Sequence, residues 1–329
     1  MDRNRCLLII NPISGTFDKR GLEELVRRSL PSMEVELFKT LGHGDATVAA
    51  STAAKARYDT VIVAGGDGTV NEAAAALRGT DTKMGIIPCG SGNGLARHLG
   101  IPIDIKASID IIIKNNVTQC DYGLVNELPF FCTFGLGFDA EVSHLFAEQK
   151  KRGFITYVKS VVQRLKDYHS DEYTIWADGK KITEKAFIVA VCNASQYGNN
   201  AYIAPNASLT DGLLDITVVH QGNPFTTALM GIELMTGRLD KNTLIHTLRV
   251  PSAVISRKQA GVAHVDGEPV TMGERMEISC QPGKINIYTN PDYAGFKPII
   301  TPVKSFFDDL NHALKRLTDK SLNNIEKEK

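Results

Sequence analysis

Three observations predict an α/β fold in two parts. Strands alternate with helices through the first 120 residues. Strand and turn patterning takes over from Gln119. The strands of the first part are short apolar runs, as suits strands buried on both faces. Alternation at that spacing implies right-handed crossovers and a doubly wound parallel sheet with helices on both faces. The strand-rich remainder reads as a β-sandwich. The expected domains are residues 1–120 and 121–290, with the pattern changing near residues 116–122.

Each element has its own signal. Residues 6–10 are a continuous apolar run, and residues 21–30 set Leu22, Leu25, Val26 and Leu30 on one helical side. Residues 35–38 read as a second strand and residues 45–56 as an Ala-rich helix. Residues 59–64, DTVIVA, form a buried strand that runs straight into GGDGT. Residues 70–77 are helical, residues 84–87 a strand, and residues 95–99 begin a helix. Beyond Gln119 the strand segments include CDYGLVN, FFCTFGLG, EYTIWADGKKITEK, FIVAVCNAS, LLDITVVH, LRVPSAVISR, GVAHVDGE, MEISC and INIYT. Asp178 and Gly179, between two alternating runs, mark a hairpin. Trp176 lies in that strand and is expected in the core. Helices are expected near residues 154–166 and 225–235. Phe306, Phe307, Leu310, Leu314 and Leu317 give the C-terminal stretch an amphipathic helix. With Lys304, Lys315, Arg316 and Lys320 nearby, that helix suits docking on the body or on a second copy, which leaves a homodimer open, more than lying on a membrane.

Composition bounds the function. The chain has 329 residues, 43% of them apolar, enough for a sizeable core. Lys plus Arg and Asp plus Glu each total 37, a balance that speaks against a protein built to coat nucleic acid. The six cysteines form no CxxC pair and read as small hydrophobes in a reducing compartment. The apolar run near the N-terminus is too short for a secretory signal, and no window of about 18 residues is apolar and uncharged. A cytoplasmic protein is expected.

The strongest local signal is Gly65, Gly66, Asp67, Gly68 and Thr69, followed by Asn71 and Glu72, where a buried strand meets a helix. Parallel sheets bind ligands at the carboxyl ends of their strands. Glycines let the backbone turn sharply and approach a phosphate, and the unpaired N–H groups of the next helix favour an anion. A carboxylate inside such a cradle needs a bridging magnesium or a catalytic role to explain it. Two similar turns follow other strands. One is Asn11, Pro12, Ile13, Ser14 and Gly15; the other runs from Pro88 through Cys89, Gly90, Ser91, Gly92 and Asn93 to Gly94. A tight turn would account for any one of them; three on one sheet edge favour a nucleotide pocket. The dinucleotide GxGxxG pattern, the P-loop and the protein-kinase motifs are not met. Asp266, Gly267 and Glu268 end the run GVAHV and could supply a general base, and Asp211 to Asp215 form a third carboxylate cluster.

Together NPISG, VAGGDGTVNE, GIIPCGSGNGLARHLGIP, FGLGFDAEV, TDGLLDI and VDGE resemble the diacylglycerol kinase catalytic domain family, which includes sphingosine kinases and soluble bacterial lipid kinases. The resemblance covers roughly residues 5–290. It implies an N-terminal α/β nucleotide-binding domain, a C-terminal β-sandwich, an active site in the cleft between them, and a segment 291–329 that returns to the first domain. It implies ATP as co-substrate, Mg2+, and phosphoryl transfer to a lipid hydroxyl at the inner face of the membrane. By resemblance Asn11, Pro12, Ser14, Gly15, Thr40, Gly65, Gly66, Asp67, Gly68, Thr69, Asn71, Glu72, Ser91, Gly92 and Asn93 bind the nucleotide. Asp67 works with magnesium, Glu268 is the general base with Asp266 beside it, and Asp211, Ser208 and Leu213 hold a metal. Lys150 lies where sphingosine kinases carry a phosphate-touching arginine, although a solvated helix face is the plainer account of Lys150, Lys151 and Arg152.

Two departures bear on the substrate. Many diacylglycerol kinases read GTGND in the third loop and sphingosine kinases GSGNA; this chain has GSGNG, with Gly94 in place of the acidic residue. The position matching the amine-binding aspartate of sphingosine kinases is Ser143, while Asp139 and Glu141 are out of register. Diacylglycerol is the first expectation and a sphingoid base or ceramide the second. An enzyme like NAD kinase shares the GGDG loop, and a non-catalytic lipid-binding protein is a further reading. His43, His98 and His264 show no partner in the sequence.

Overall fold

The structure is a computed structural model that describes residues 4–15, 19–147, 165, 168–239, 242–293 and 295. The expected helix near residues 154–166 (Leu165 apart), Lys150 to Arg152 and the amphipathic stretch from Phe306 lie outside the described residues.

The first domain follows the predicted alternation. Strands β1 (Asn4–Ile10), β2 (Met33–Lys39), β3 (Thr60–Gly65) and β4 (Lys83–Pro88) pair in parallel in the order β2-β1-β3-β4. Between them come α1 (Leu22–Ser29), α2 (Asp45–Lys55) and α3 (Asp67–Leu77). All six residues of β3 are buried, which its unbroken apolar run requires. Ile9, Val61, Val63 and Ile86 pack on the Ala-rich faces of α2 and α3. Leu8, Ile10, Ile62 and Ile87 face the other way, onto Leu22 and Val26 of α1. The chain leaves β1 toward β2 on one side and reaches β3 on the other, so a crevice opens between their carboxyl ends.

Two helices close this domain. The short α4 (Gly94–His98) was anticipated, whereas α5 (Ile105–Ile113) was not. Ile111, Ile112 and Ile113 make a β-branched run that carries no helical period. The Asp104 side chain caps α5 by accepting from the Ala107 amide at 2.9 Å, and Ile109 and Ile112 bury its inner face.

The second domain stacks two sheets. A six-stranded sheet runs β12 (Ile245–Val250), β11 (Leu214–Val219), β10 (Ile188–Cys192), β7 (Thr133–Gly137), β14 (Gly261–Val265), β15 (Glu268–Met272). Opposite it lie β5 (Val117–Val125), β6 (Leu128–Phe130), β8 (Asp171–Ala177), β9 (Lys180–Ala186), β13 (Ser252–Arg257) and β16 (Arg275–Tyr288). Phe130, Phe134, Leu136, Val189, Ile216 and Ile255 fill the space between. The outer face of the six-stranded sheet is covered by α6 (Phe138–Ala147) and α7 (Pro224–Thr236). Asp178 and Gly179, both at positive φ, make the expected hairpin turn between β8 and β9. Trp176 departs from the core position expected of it. Tyr173 and Ile175 take the inward places on β8, so Trp176 points outward, 37% exposed, beside an open groove of about 610 Å³.

Strands β5 and β16 bind the two domains into one sheet. β16 lies against β5 from Ile278 to Tyr288, next to β13 along its first half and next to β4 at Ile287. The register shifts between Gln281 and Ile285, a bulge centred on Gly283 at φ 57°. The buried carboxylate of Asp121 on β5 pins that bulge, accepting from the Gly283 amide at 2.6 Å and from the Gly212 amide at 2.7 Å.

Phe130 is wholly buried between the sheets, so Phe130→Ala is expected to cost about 3–5 kcal/mol. Urea unfolding followed by circular dichroism checks this, and an unchanged midpoint would contradict the packing described.

Candidate active site

Three loops converge at the carboxyl ends of β1, β3 and β4. Gly15 sits at φ 62° against the third loop; a Cβ there would stand 1.8 Å from the Cys89 carbonyl oxygen. A Cβ on Gly90 would stand 2.6 Å from Gly66 Cα, and one on Gly66 would reach Ser14 Cβ at 3.9 Å. At positions 15 and 90 only glycine permits these approaches, whereas the contact of Gly66 with Ser14 is an ordinary one. Asn11 ties the first loop to the second, its Nδ2 donating to Thr69 Oγ1 at 2.9 Å and its Oδ1 accepting from the Ile13 amide. Thr40 is buried beside them, its amide on the Ile10 carbonyl. Ser91 stands exposed at the tip of the third loop, and Asn71 is half-buried on α3.

Asp67 opens α3, where the helix N-terminus favours a negative charge. Its carboxylate accepts from the Asn93 amide at 2.8 Å and the Gly94 amide at 2.7 Å. Burial pushes Asp67 above the ordinary aspartate range, and those two amides and the Arg97 charge pull it part of the way back. Asn93, at φ 53°, folds its side chain onto Gly90, accepting from its N–H and donating to its carbonyl. Gly92 leaves room for the aspartate, since a Cβ there would lie 2.7 Å from Asp67 Oδ2.

The sandwich meets this edge from across the cleft. Glu268 Oε1 lies 3.7 Å from the Cβ position of Gly68, beside Asp67. Glu268 is exposed at the start of β15. Asp266 is differently placed. At φ 50°, it accepts from the amides of Phe131 at 2.8 Å, Cys132 at 2.7 Å and Thr133 at 2.8 Å. Burial pushes Asp266 up to about 6 against these three donors. Such a carboxylate holds the turn that carries Glu268 rather than reaching into the cleft. Cys132 lies between the two halves: its thiol is raised by burial and by the charges of Asp266 and Asp67.

Other expected residues sit apart from the junction. Glu72 faces α2, accepting from the Gly44 amide at 2.9 Å and the Ala46 amide at 3.1 Å, with His43 Nδ1 at 3.0 Å. It caps that helix. Ser208, Asp211 and Leu213 share the loop before β11. Asp211 Oδ1 accepts from the Leu213 amide at 3.1 Å, Oδ2 lies 3.7 Å from Arg249, and Ser208 Oγ pairs with Thr210. Their loop is held to the two-domain sheet by Asp121 through Gly212. Among the described residues no three His, Cys, Asp or Glu side chains form a metal cage.

Comparison with known proteins decides the family. Residues 5–125 match the diacylglycerol kinase catalytic domain model, and residues 133–289 match the YegS C-terminal NAD kinase beta sandwich-like domain. A diacylglycerol kinase of Bacillus subtilis is 32% identical over 67% of this chain and 75% of its own length. The chain belongs to the diacylglycerol kinase family. Another diacylglycerol kinase, from Staphylococcus saprophyticus, is 28% identical over 81% of this chain and 89% of its own. A crystal structure from Bacillus anthracis, described as a diacylglycerol kinase, superposes with a TM-score of 0.74 at 26% identity, covering 88% of this chain and 99% of that one. The α/β domain and β-sandwich predicted from the sequence are thus both present, and the protein is a lipid kinase. No helix among the described residues is long and apolar enough to cross a membrane.

Sequence reasoning missed several groups around the site of this lipid kinase. Asp121 and Tyr197 lie in strand and loop segments without a motif of their own, and Asp139, within FGLGFDAEV, was weighed only as an acid out of register for an amine. His98 and His264 had no visible partner, and both have one. His98 Nδ1 meets Ser195 Oγ at 2.9 Å and accepts from the Ser195 amide at 3.0 Å, latching α4 to the sandwich. Arg97 adds a contact to Asn200 at 3.3 Å.

Burial lowers His98 to about 4, well below the ordinary histidine value near 6.5. A depressed folded pKa stabilises the protein above the unfolded value and withdraws that contribution as pH falls toward 4. His98→Asn keeps an acceptor for Ser195 and cannot titrate. Wild type is therefore expected to lose melting temperature relative to His98→Asn between pH 6.5 and 4; parallel curves would show that His98 is not buried neutral.

Proposed function

We propose that this lipid kinase transfers the γ-phosphate of ATP, with magnesium, to the free hydroxyl of diacylglycerol, giving phosphatidic acid for phospholipid metabolism. The observation that carries the reading is the approach of Glu268 to Gly68, whose carboxylate Oε1 lies 3.7 Å from where a Cβ on that glycine would stand, at the edge of a glycine-built cradle. Phosphoryl transfer asks for in-line positioning and charge neutralisation rather than covalent chemistry. The amides of the Asn11–Gly15, Gly65–Thr69 and Cys89–Asn93 loops are suited to hold the nucleotide phosphates, with Thr40 and Asn71 beside them. Magnesium, when bound, supplies charge neutralisation on those phosphates. Asp67 is the carboxylate to hold it there, and a cation nearby would offset the burial that raises Asp67. Asp211, with the Ser208 and Leu213 carbonyls, is a second place for the ion, away from the phosphates. Glu268 takes the proton of the lipid hydroxyl as it attacks.

Diacylglycerol is favoured over a sphingoid base by the fate of the nearby acids. Ser143 is buried and neutral, and Asp139 is 5% exposed and already bonded to three partners. Neither leaves a carboxylate for a ligand amine. The enzyme would work at the inner face of the membrane, reaching its substrate from the cytoplasm.

Labelled ATP incubated with micellar diacylglycerol, sphingosine, ceramide and phosphatidylglycerol is expected to label diacylglycerol alone. Label in sphingosine would move the substrate assignment, and NADP formed from NAD would remove the lipid reading. Chelation by EDTA is expected to abolish turnover, with recovery on added magnesium. Asp67→Ala and Glu268→Gln are each expected to lower kcat by several powers of ten, with the melting temperature held in Glu268→Gln and lowered, though the protein stays folded, in Asp67→Ala, which strands the Asn93 and Gly94 amides; wild-type turnover in Glu268→Gln would end its assignment as base.

A further inference from the structure

The turn that carries Glu268 is braced from behind by a chain of buried side chains. His264, on β14, is 1% exposed. Its Nδ1 accepts from the Gly267 amide at 3.3 Å, so the ring hydrogen belongs on Nε2. Nε2 lies 3.1 Å from Asp139 Oδ2 and donates to it. The Tyr197 hydroxyl donates to the same oxygen at 2.8 Å, and the Ala140 amide donates to Asp139 Oδ1 at 2.8 Å. The Tyr197 and His264 rings meet edge to face at 5.9 Å. Gly135 makes the space, since a Cβ on it would stand 2.1 Å from His264 Nε2 and 2.4 Å from Asp139 Oδ2.

The other end of this chain reaches the Asp67 loop. The Tyr197 carbonyl lies 3.3 Å from the Cβ position of Gly94, whose amide holds Asp67. Next to it, a Cβ on Gly198 would stand 3.0 Å from Gly92, and the Asn199 amide donates to the Gly92 carbonyl at 3.1 Å. One residue, Tyr197, therefore touches the loop behind Asp67 with its backbone and the brace behind Glu268 with its hydroxyl.

We propose that Tyr197, Asp139 and His264 form a buried positioning relay that sets the turn bearing Glu268 against the loop bearing Asp67. None of the three touches substrate. They act by fixing where the base stands relative to the phosphate cradle, and a base displaced by a fraction of an ångström loses rate without losing binding. The inference rests on the reading of Glu268 as the general base.

The test pairs kinetics with a spectroscopic readout that needs no turnover. Tyr197→Phe removes one hydroxyl, and His264→Gln keeps a donor for Asp139 while abandoning Gly267. Each is expected to lower kcat by about tenfold or more, with KM for ATP unchanged and melting temperature within a few degrees of wild type. The double variant is expected to be no slower than the slower single, because both break one chain. His264→Asn retains an acceptor at the Nδ1 position and is expected to recover part of the rate lost in His264→Gln. Wild-type kcat in Tyr197→Phe, or effects that multiply in the double variant, would overturn the relay. Nitrogen-15 spectra of the histidine rings are expected to find His264 as the neutral Nε2–H tautomer; an Nδ1–H tautomer or an imidazolium would overturn it even in an inactive protein. Absence of lipid kinase turnover in wild type, with the Nε2–H tautomer present, would instead remove the function assigned to Glu268.

Discussion

The antiparallel pairing of β5 with β16 is the constraint from which the active-site geometry follows. The long strand has β4 on one flank near its end and β13 on the same flank near its start. A single run of backbone hydrogen bonds thus fixes the sandwich against the α/β domain. The bulge at Gly283 would be a soft point in that run. Asp121 stiffens it by bonding the Gly283 amide, and the same carboxylate holds Gly212 beside Asp211. With the domains so joined, the gap between Asp67 and Glu268 is set by the fold itself.

Around that gap, backbone amides do most of the electrostatic arranging. Asp67 and Asp266 both lie where burial disfavours their charge, and both are answered by N–H groups of neighbouring loops. An N–H donor in a loop depends on the loop's conformation, which explains why glycines and positive-φ residues crowd here: Gly15, Asn93, Gly198, Asp266 and Gly267. Glu268 differs, standing exposed at the start of β15 with no backbone donor on its carboxylate among the described residues. The two acids of one DGE turn thus differ in place: Asp266 is held by three amides, and Glu268 stands exposed at the cleft.

Much of this was legible in the sequence because it is local. Residues 6–10, 59–64 and 84–87 are apolar runs bounded by turn residues, and the loops that follow them announce their glycines in order. The legible part ends where partners are distant in the chain. Asp139 and His264 are separated by 125 positions and meet only because β7 pairs with β14. His98 finds Ser195 across the domain boundary. Glu72 follows GGDGTVN so closely that it reads as part of the loop, yet one more helical turn aims it at α2. Trp176 was misplaced for a different reason: its strand has two faces, and size alone does not say which one a tryptophan takes.

The sandwich is threaded into the first domain rather than appended to it, since the chain enters along β5 and comes back along β16 to lie beside β4. Recombination cannot therefore exchange the sandwich half with one cut. Two coordinated crossovers are needed, one within Val117–Val125 and one within Arg275–Tyr288, and both new seams must preserve a matching bulge. The inserted half of such a scaffold should change by substitution within it rather than by wholesale replacement, and chimaeras made by a single splice should fail to assemble.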